Sequence, residues 1–369
     1  MSTRSVSSFA VALFVLLVSV IETPALAQSA PRPEQSDDWR TANDTVGKFQ
    51  RGHSDVLKWE SGNQPAVPDV PTHGGELVLK SSGDAAREAW KIHLDLAKTR
   101  AILGSENERF VAEGRWGDVD PDWLRRAEGL DELIDVSAAA RKAWLDAVAA
   151  QQALRYRKEA LVAAESAAEL ATRMARVGNW SKLQETRLHI ALNAARMDVE
   201  RAGYTLALAQ AELLGVLGLS GVHTSVALPD ALPELPKMAS TTQAIQQRLD
   251  VLSIKLPRAD NLRVRANAQV SAAAYRAAYD LARLATENLK WQETVVEETL
   301  LKYNGMLASV WDLLGEARER SQAALDSVEA LRDFWMAEAD LQYVLIGGVP
   351  ERFVSLGNSG AGNQATSSH

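Results

Sequence analysis

The chain carries six histidines, at positions 53, 73, 93, 189, 223 and 369, together with six methionines and no cysteine. No two histidines stand three or four residues apart, the spacing that would place both imidazoles on one helix face for a zinc site. The methionines are equally scattered and form no run of thioethers of the kind that copper selects. Without cysteine there are no disulfides, thiolate metal sites or thiol nucleophiles. Glu293, Glu297 and Glu298 could cluster, because Glu293 and Glu297 are four apart and share a helix face. No histidine stands beside them, and Val295 and Val296 lie opposite, so they read as the solvated side of an amphipathic helix. There is no serine–histidine–aspartate grouping and no phosphate-cradling glycine loop; Gly357, Gly360 and Gly362 sit in a polar tail, not behind a strand. The sequence predicts no enzyme, no cofactor and no metal site. A net charge of −8 and a pI near 5.4 argue against a nucleic-acid partner, which calls for a basic patch or stripe.

Residues 1–27 have the pattern of a signal peptide. Arg4 supplies a basic start, Phe9 to Ile21 is an apolar run broken only by Ser19, and Ala25-Leu26-Ala27 fits a small-x-small cleavage site. The run is shorter than the roughly 20 residues a spanning helix needs, and no other stretch comes close, so no membrane span is predicted. A lipoprotein anchor would require a cysteine after the cleavage site. An exported chain free of disulfides fits the periplasm of a Gram-negative bacterium.

About 340 residues follow the signal, rich in alanine, leucine, glutamate and arginine, a composition of long helices in a bundle or coiled coil. Residues 28–74, punctuated by Pro31, Pro33, Pro65, Pro68 and Pro71, read as an extended or disordered leader. Glu76 to Leu79 could form one short strand, and Ser82 offers a cap for a helix from Asp84 to about Ile102. Residues 104–122 read as a loop, followed by a short helix from Asp122 to about Leu133. From Asp135 to about Arg176 there is neither glycine nor proline, and apolar residues recur at helical spacing, for a helix about 60 Å long. Gly178-Asn179 breaks it and Ser181 caps a second helix to about Leu217, a break short enough to force an antiparallel hairpin. A proline-marked linker, about 219–240, and a short helix after Thr241 lead to a second hairpin, with helices from about Val270 to Lys302 and Leu307 to Ile346. Gly347-Gly348 and Pro350 stop it, and residues 349–369 read as a disordered tail.

The two hairpins are copies in outline, repeat one spanning about 75–218 and repeat two about 241–348. Met174 to Leu183, centred on Arg176-Val177-Gly178-Asn179-Trp180, resembles the first helical-tip turn of TolC-like outer-membrane efflux proteins. Lys302 to Leu314, with Tyr303-Asn304-Gly305-Met306-Leu307 at its turn, resembles the second. Gly305 comes one position early, with Met306 where the family has glycine, and Gln184 stands where it often has aspartate. Glu76 to Leu79 and Arg248-Leu249-Asp250-Val251 are similar to the openings of the family's two repeats, and the resemblance covers most of residues 75–348.

The resemblance implies an all-α fold of two pseudo-repeated antiparallel hairpins, docking of a periplasmic adaptor and inner-membrane pump at the tips, and a homotrimer associated with the outer membrane. It also implies a role for Asp312, since aspartates near the tip constrict the family's channel; the same residue could simply complement the helix dipole. The family's spanning strands need roughly 9–11 residues each. The corresponding segments, 104–134 and about 252–269, are too short and polar to hold them, so no transmembrane strand is expected. Two readings therefore stand: an efflux component exporting metals or drugs, or a barrel-less periplasmic coiled-coil scaffold with no conduit. Trp90, Trp144, Trp291 and Trp335 read as core or interface anchors, and Trp180 and Trp311, flanking the tips, as contacts for a partner's hairpin or as further packing.

Overall fold

The computed structural model of the protein describes residues 77–119, 129–253, 258–350 and 352–356. All of them belong to one compact unit, Thr72–His369. The segments expected to be a signal peptide and a leader, and most of the expected tail, lie outside the described residues.

Seven α-helices are described: α1 Ser82–Ala89, α2 Leu96–Ala112, α3 Leu130–Arg176, α4 Lys182–Val216, α5 Thr242–Ser253, α6 Arg258–Asn304 and α7 Val310–Val344. α3 and α6 have 47 residues each, and α4 and α7 have 35 each. The repeat inferred from sequence is thus a repeat of helix lengths as well. Two short strands, β1 Leu77–Val78 and β2 Val226–Ala227, pair in parallel with Leu77 opposite Val226. The fold is all-α, with two long antiparallel hairpins.

The long helices lie in a row. α4 packs on α3, α3 on α7, and α7 on α6, while α1 and α2 pack against α3. α4 and α6, at the two ends of the row, do not pack on each other. The row is open.

Its apolar core is concentrated at the end away from the tips. Trp144, Leu145 and Val148 of α3 meet Leu213, Leu214 and Leu217 at the end of α4. Tyr275 and Ala278 of α6 meet Phe334 and Leu341 of α7 under Ile245 and Leu249 of α5. Trp90, Trp116, Leu130 and Ile134 form a third cluster beneath α2. Three of these rings also satisfy their polar edge: the indole N–H groups of Trp90, Trp116 and Trp144 donate to the carbonyls of Leu133, Val111 and Leu79. Beyond Ala150 the only buried side chains of α3 are Ala168 and Ala171.

A polar clamp ties the hairpins together beside this core. Arg141 of α3 donates to the Glu338 carboxylate of α7 at 2.7 Å and to the Glu113 carbonyl at 2.7 Å. Lys142 pairs with Asp340, and Arg248 of α5 donates to Gln342 at 2.9 Å. Gly114 lies under the Arg141 guanidinium with φ +73°, and a Cβ there would fall 1.5 Å from Nη1. Only glycine fits that approach.

Several boundaries differ from the sequence reading. Ser81, not Ser82, caps α1, accepting from the Asp84 amide in a capping box. The helix expected to reach Ile102 stops at Ala89, and helix resumes at Leu96. α2 continues through the expected loop to Ala112, kinked at Gly104, because Val111 and Ala112 supply buried contacts. α3 starts at Leu130: Leu130, Leu133 and Ile134 are already buried and in phase with Ser137 and Ala140. α6 starts at Arg258, not Val270, its first turns too polar to show an apolar period. α7 starts at Val310, behind its Ser309 cap, not at Leu307.

Candidate docking tips and helical groove

The two turns expected at the tips form the same backbone motif. At the first, Gly178 N–H donates to the Ala175 carbonyl at 3.1 Å and Asn179 N–H to Met174 at 3.0 Å, with Gly178 at φ +82°. At the second, Met306 N–H donates to Tyr303 at 3.0 Å and Leu307 N–H to Lys302 at 2.8 Å, with Met306 at φ +60°. Both are Schellman endings, which call for a left-handed residue where Gly178 and Met306 stand. Met306 is the one non-glycine residue with positive φ among the described residues. The early Gly305 does not take over this conformation: the motif keeps its register and forces methionine into it.

Each tip then enters its descending helix through a capping box. Ser181 accepts from the Gln184 amide while Gln184 reaches back, and Ser309 and Asp312 do the same. The Asp312 carboxylate accepts from Ser309 N–H and Oγ, both at 2.8 Å. The bond from the Ser309 backbone, then that from its hydroxyl, holds Asp312 below the ordinary carboxylate value. Asp312 is therefore an exposed, ionised residue that already has a structural task. In the first tip Glu185 is buried between α3 and α4, and the Lys182 ammonium holds its carboxyl below the usual range.

The tips are held side by side. Trp180 and Trp311 stack with ring centroids 4.1 Å apart and an interplanar angle of 26°. Beyond the indoles the apex is apolar and exposed: Met306 is 94% and Leu307 83% accessible, and Val177 is exposed beside Gly178 and Asn179. Arg176, Tyr303, Asn304 and Gly305 complete the exposed ring of tip residues. Behind the indoles a groove of about 850 Å³ runs between α4 and α7, floored by Ala160, Ala164 and Ala167 of α3. Its far end meets a second hollow of about 530 Å³ that shares Arg157, Asp198, Gln322 and Leu325 with it.

No family model matches the sequence, and no curated protein matches it. The chain is similar in structure to outer-membrane channels. One is the Campylobacter jejuni CmeC outer membrane channel, at 10% identity and a TM-score of 0.46 over 66% of this chain and 68% of that one. Another is CusC, described with transmembrane channel formation, at 11% identity and a TM-score of 0.46 over 84% of this chain and 98% of that one. A membrane protein from Pseudomonas aeruginosa gives 12% identity and a TM-score of 0.45 over 66% of this chain and 71% of that one. At such identities and scores the likeness bears on neither activity nor partners.

Among the described residues no helix is long and apolar enough to cross a membrane, and no three His, Cys, Asp or Glu side chains converge as a metal would require. The structure brings together the ten tip residues singled out in the sequence. Of the two roles expected for Trp291, core or interface anchor, it excludes the first: the ring is largely exposed on α6. What sequence reasoning missed is on α4. Leu183, Ile190, Met197 and Tyr204, each seven residues from the next, are 51–67% exposed instead of facing the bundle. The seven-residue spacing was the available signal, because it marks a coiled-coil seam.

Proposed function

We propose that this chain is a periplasmic component of a TolC-type efflux system, associated with the outer membrane. Three copies stand side by side, and their paired tips dock a periplasmic adaptor linked to an inner-membrane pump. The observation that carries this reading is the apex. The indole stack brings two distant turns to one end of long helices, where Val177, Met306 and Leu307 stand exposed, with no other described residue covering them. A soluble protein keeps such a patch for contact. The strained Met306 adds weight, since backbone strain is retained where surrounding structure and use require it.

The open row favours this reading over a self-contained scaffold, whose bundle would close α4 onto α6. Helix occupies both ends of the first segment where spanning strands would be inserted, since α2 runs to Ala112 and α3 starts at Leu130, and most of the second, where α6 starts at Arg258. The proposed component therefore joins the outer membrane through its assembly, not through strands of its own. In a symmetric assembly Asp312 recurs as a ring of ionised carboxylates, a candidate constriction that attracts cations. The cargo class proposed is metal ions or drugs.

The test is a deletion strain of the host challenged with a panel of metals and drugs. Deletion is expected to sensitise it to at least one compound. Wild-type chain should restore resistance, whereas Met306→Asp/Leu307→Asp should not, at equal abundance and unchanged circular dichroism. Full restoration by the tip variant, or a deletion without effect on the panel, overturns the proposal.

A further inference from the structure

Three arginines and three carboxylates surround a polar hollow of about 250 Å³ beside the core. Its walls include the loop 113–118, Arg141 of α3, Arg248 of α5, and Glu338 and Gln342 of α7. The charges are not shared evenly. Arg115 holds two carboxylates, Asp118 at 2.7 Å and Glu113 at 3.6 Å, and Arg141 holds Glu338 at 2.7 Å. Arg248 holds none. Its hydrogen-bond acceptor among the described residues is the neutral side chain of Gln342, at 2.9 Å. Half-burial pulls the Arg248 guanidinium below its ordinary value, and Asp118 and Glu338 offset this only in part, from beyond ion-pair distance.

The two inner guanidinium groups are also fixed in place. A Cβ on Gly117 would fall 2.0 Å from Nη2 of Arg248, as one on Gly114 would meet Nη1 of Arg141. The loop backbone therefore lies directly on both groups, and that close approach leaves donors over. Nη2 of Arg248 and Nε of Arg141 are buried without an acceptor among the described residues. A buried cationic donor left unpaired is costly, and native proteins seldom keep one without a water or an ion to satisfy it.

We infer that this hollow binds a small oxyanion, a carboxylate or phosphate group, which supplies Arg248 with the counter-charge that no side chain gives it. The planar fork of arginine suits both groups. Each of the three carboxylates is already held by Arg115 or Arg141, which offsets its repulsion of an incoming anion. The volume is below the roughly 300–1,000 Å³ of sites for drug-sized ligands, so the ligand is an ion with few attached atoms. Its place gives it a task. The loop 113–118 belongs to the first repeat, and α5 and Gln342 belong to the second. An anion among them ties α5 to both and stiffens the junction of the repeats.

The test is thermal melting of the purified chain in inorganic phosphate, and separately in acetate, with ionic strength held constant by sodium chloride. Phosphate also raises midpoints through its exclusion from protein surfaces, so the readout is the saturable part of the rise. At about ten times the dissociation constant the wild type should melt about 2–4 °C higher. Saturation by phosphate alone assigns a phosphate-bearing ligand, and saturation by acetate as well assigns a carboxylate. Gln342→Glu places a carboxylate where Arg248 already donates, so it should melt above the wild type without added anion and lose the saturable rise. Arg248→Gln should lose the rise too. A wild-type midpoint that saturates with neither anion, or a saturable rise kept in Gln342→Glu, overturns the inference. Should Arg248→Gln fail to fold, Gln342→Glu decides alone: calorimetric titration of phosphate should return one site per wild-type chain and none in that variant, and equal binding by both refutes the site.

Discussion

Replacing Arg141 by methionine should cost about 3–5 kcal/mol, the expected loss when one member of a buried ion pair is removed and the other charge remains. The side chains of Arg141 and Glu338 are only 8% and 17% exposed. The substitution strands the Glu338 carboxylate and leaves the Glu113 carbonyl without its 2.7 Å donor. It also removes the hydrogen-bonded bridge between the Glu113 carbonyl and α7, leaving the Trp116–Tyr343 edge contact to hold residues 116–118 against that helix. The assay is urea unfolding of the purified chain followed by far-ultraviolet circular dichroism, run as a double-mutant cycle with Glu338→Leu. An apolar pair of similar volume relieves both buried charges, so Arg141→Met/Glu338→Leu should recover most of the loss, with a coupling of about 3 kcal/mol. A cost below about 1 kcal/mol for Arg141→Met, or a double variant equal to the sum of its singles, would refute the argument that this pair is desolvated and mutually dependent.

Met306→Gly should stabilise the chain. Relief of about 1–2 kcal/mol of left-handed strain exceeds the roughly 0.5–1 kcal/mol of added unfolded-state freedom, and a thermal melt should move up by about 1–3 °C; an unchanged or lowered midpoint would refute it. Asp312 has a folded pKa below its ordinary value of 3.8, so its cap contribution is complete above pH 3.8 and is lost as the pH falls through the lower folded value. Tip fluorescence from the Trp180–Trp311 pair should change across that acid window in the wild type and stay flat in Asp312→Asn.

Much of the architecture was legible in order along the chain. Gly178-Asn179 followed by Ser181 marks a helix stop and a restart with its cap, and the structure uses them for those purposes. The second tip was legible in place but not in conformation. A methionine at a glycine position reads as a departure from pattern, and only the Schellman hydrogen bonds reveal that the backbone keeps the pattern and strains the side-chain-bearing residue. Starts of helices were missed where burial, not local pattern, decides them. Arg258 to Gln269 has few apolar residues, among them Val264 and Ala268, which are buried in the packing with α5 and α7. Trp180 and Trp311, far apart in sequence, each read as a possible contact for a partner, and folding stacks them on each other.

By itself the sequence determined the helical content, the hairpin repeat and the lack of cysteine, because these depend on composition, spacing and local capping. Which apolar faces are spent inside the chain was decided only by tertiary structure. Leu213 and Ile190 are alike in character and sit on one helix, yet Leu213 is buried against α3 while Ile190 faces solvent. Periodicity shows that a helix has an apolar face; it takes the order of helices in the row to show whether this chain or another surface covers it.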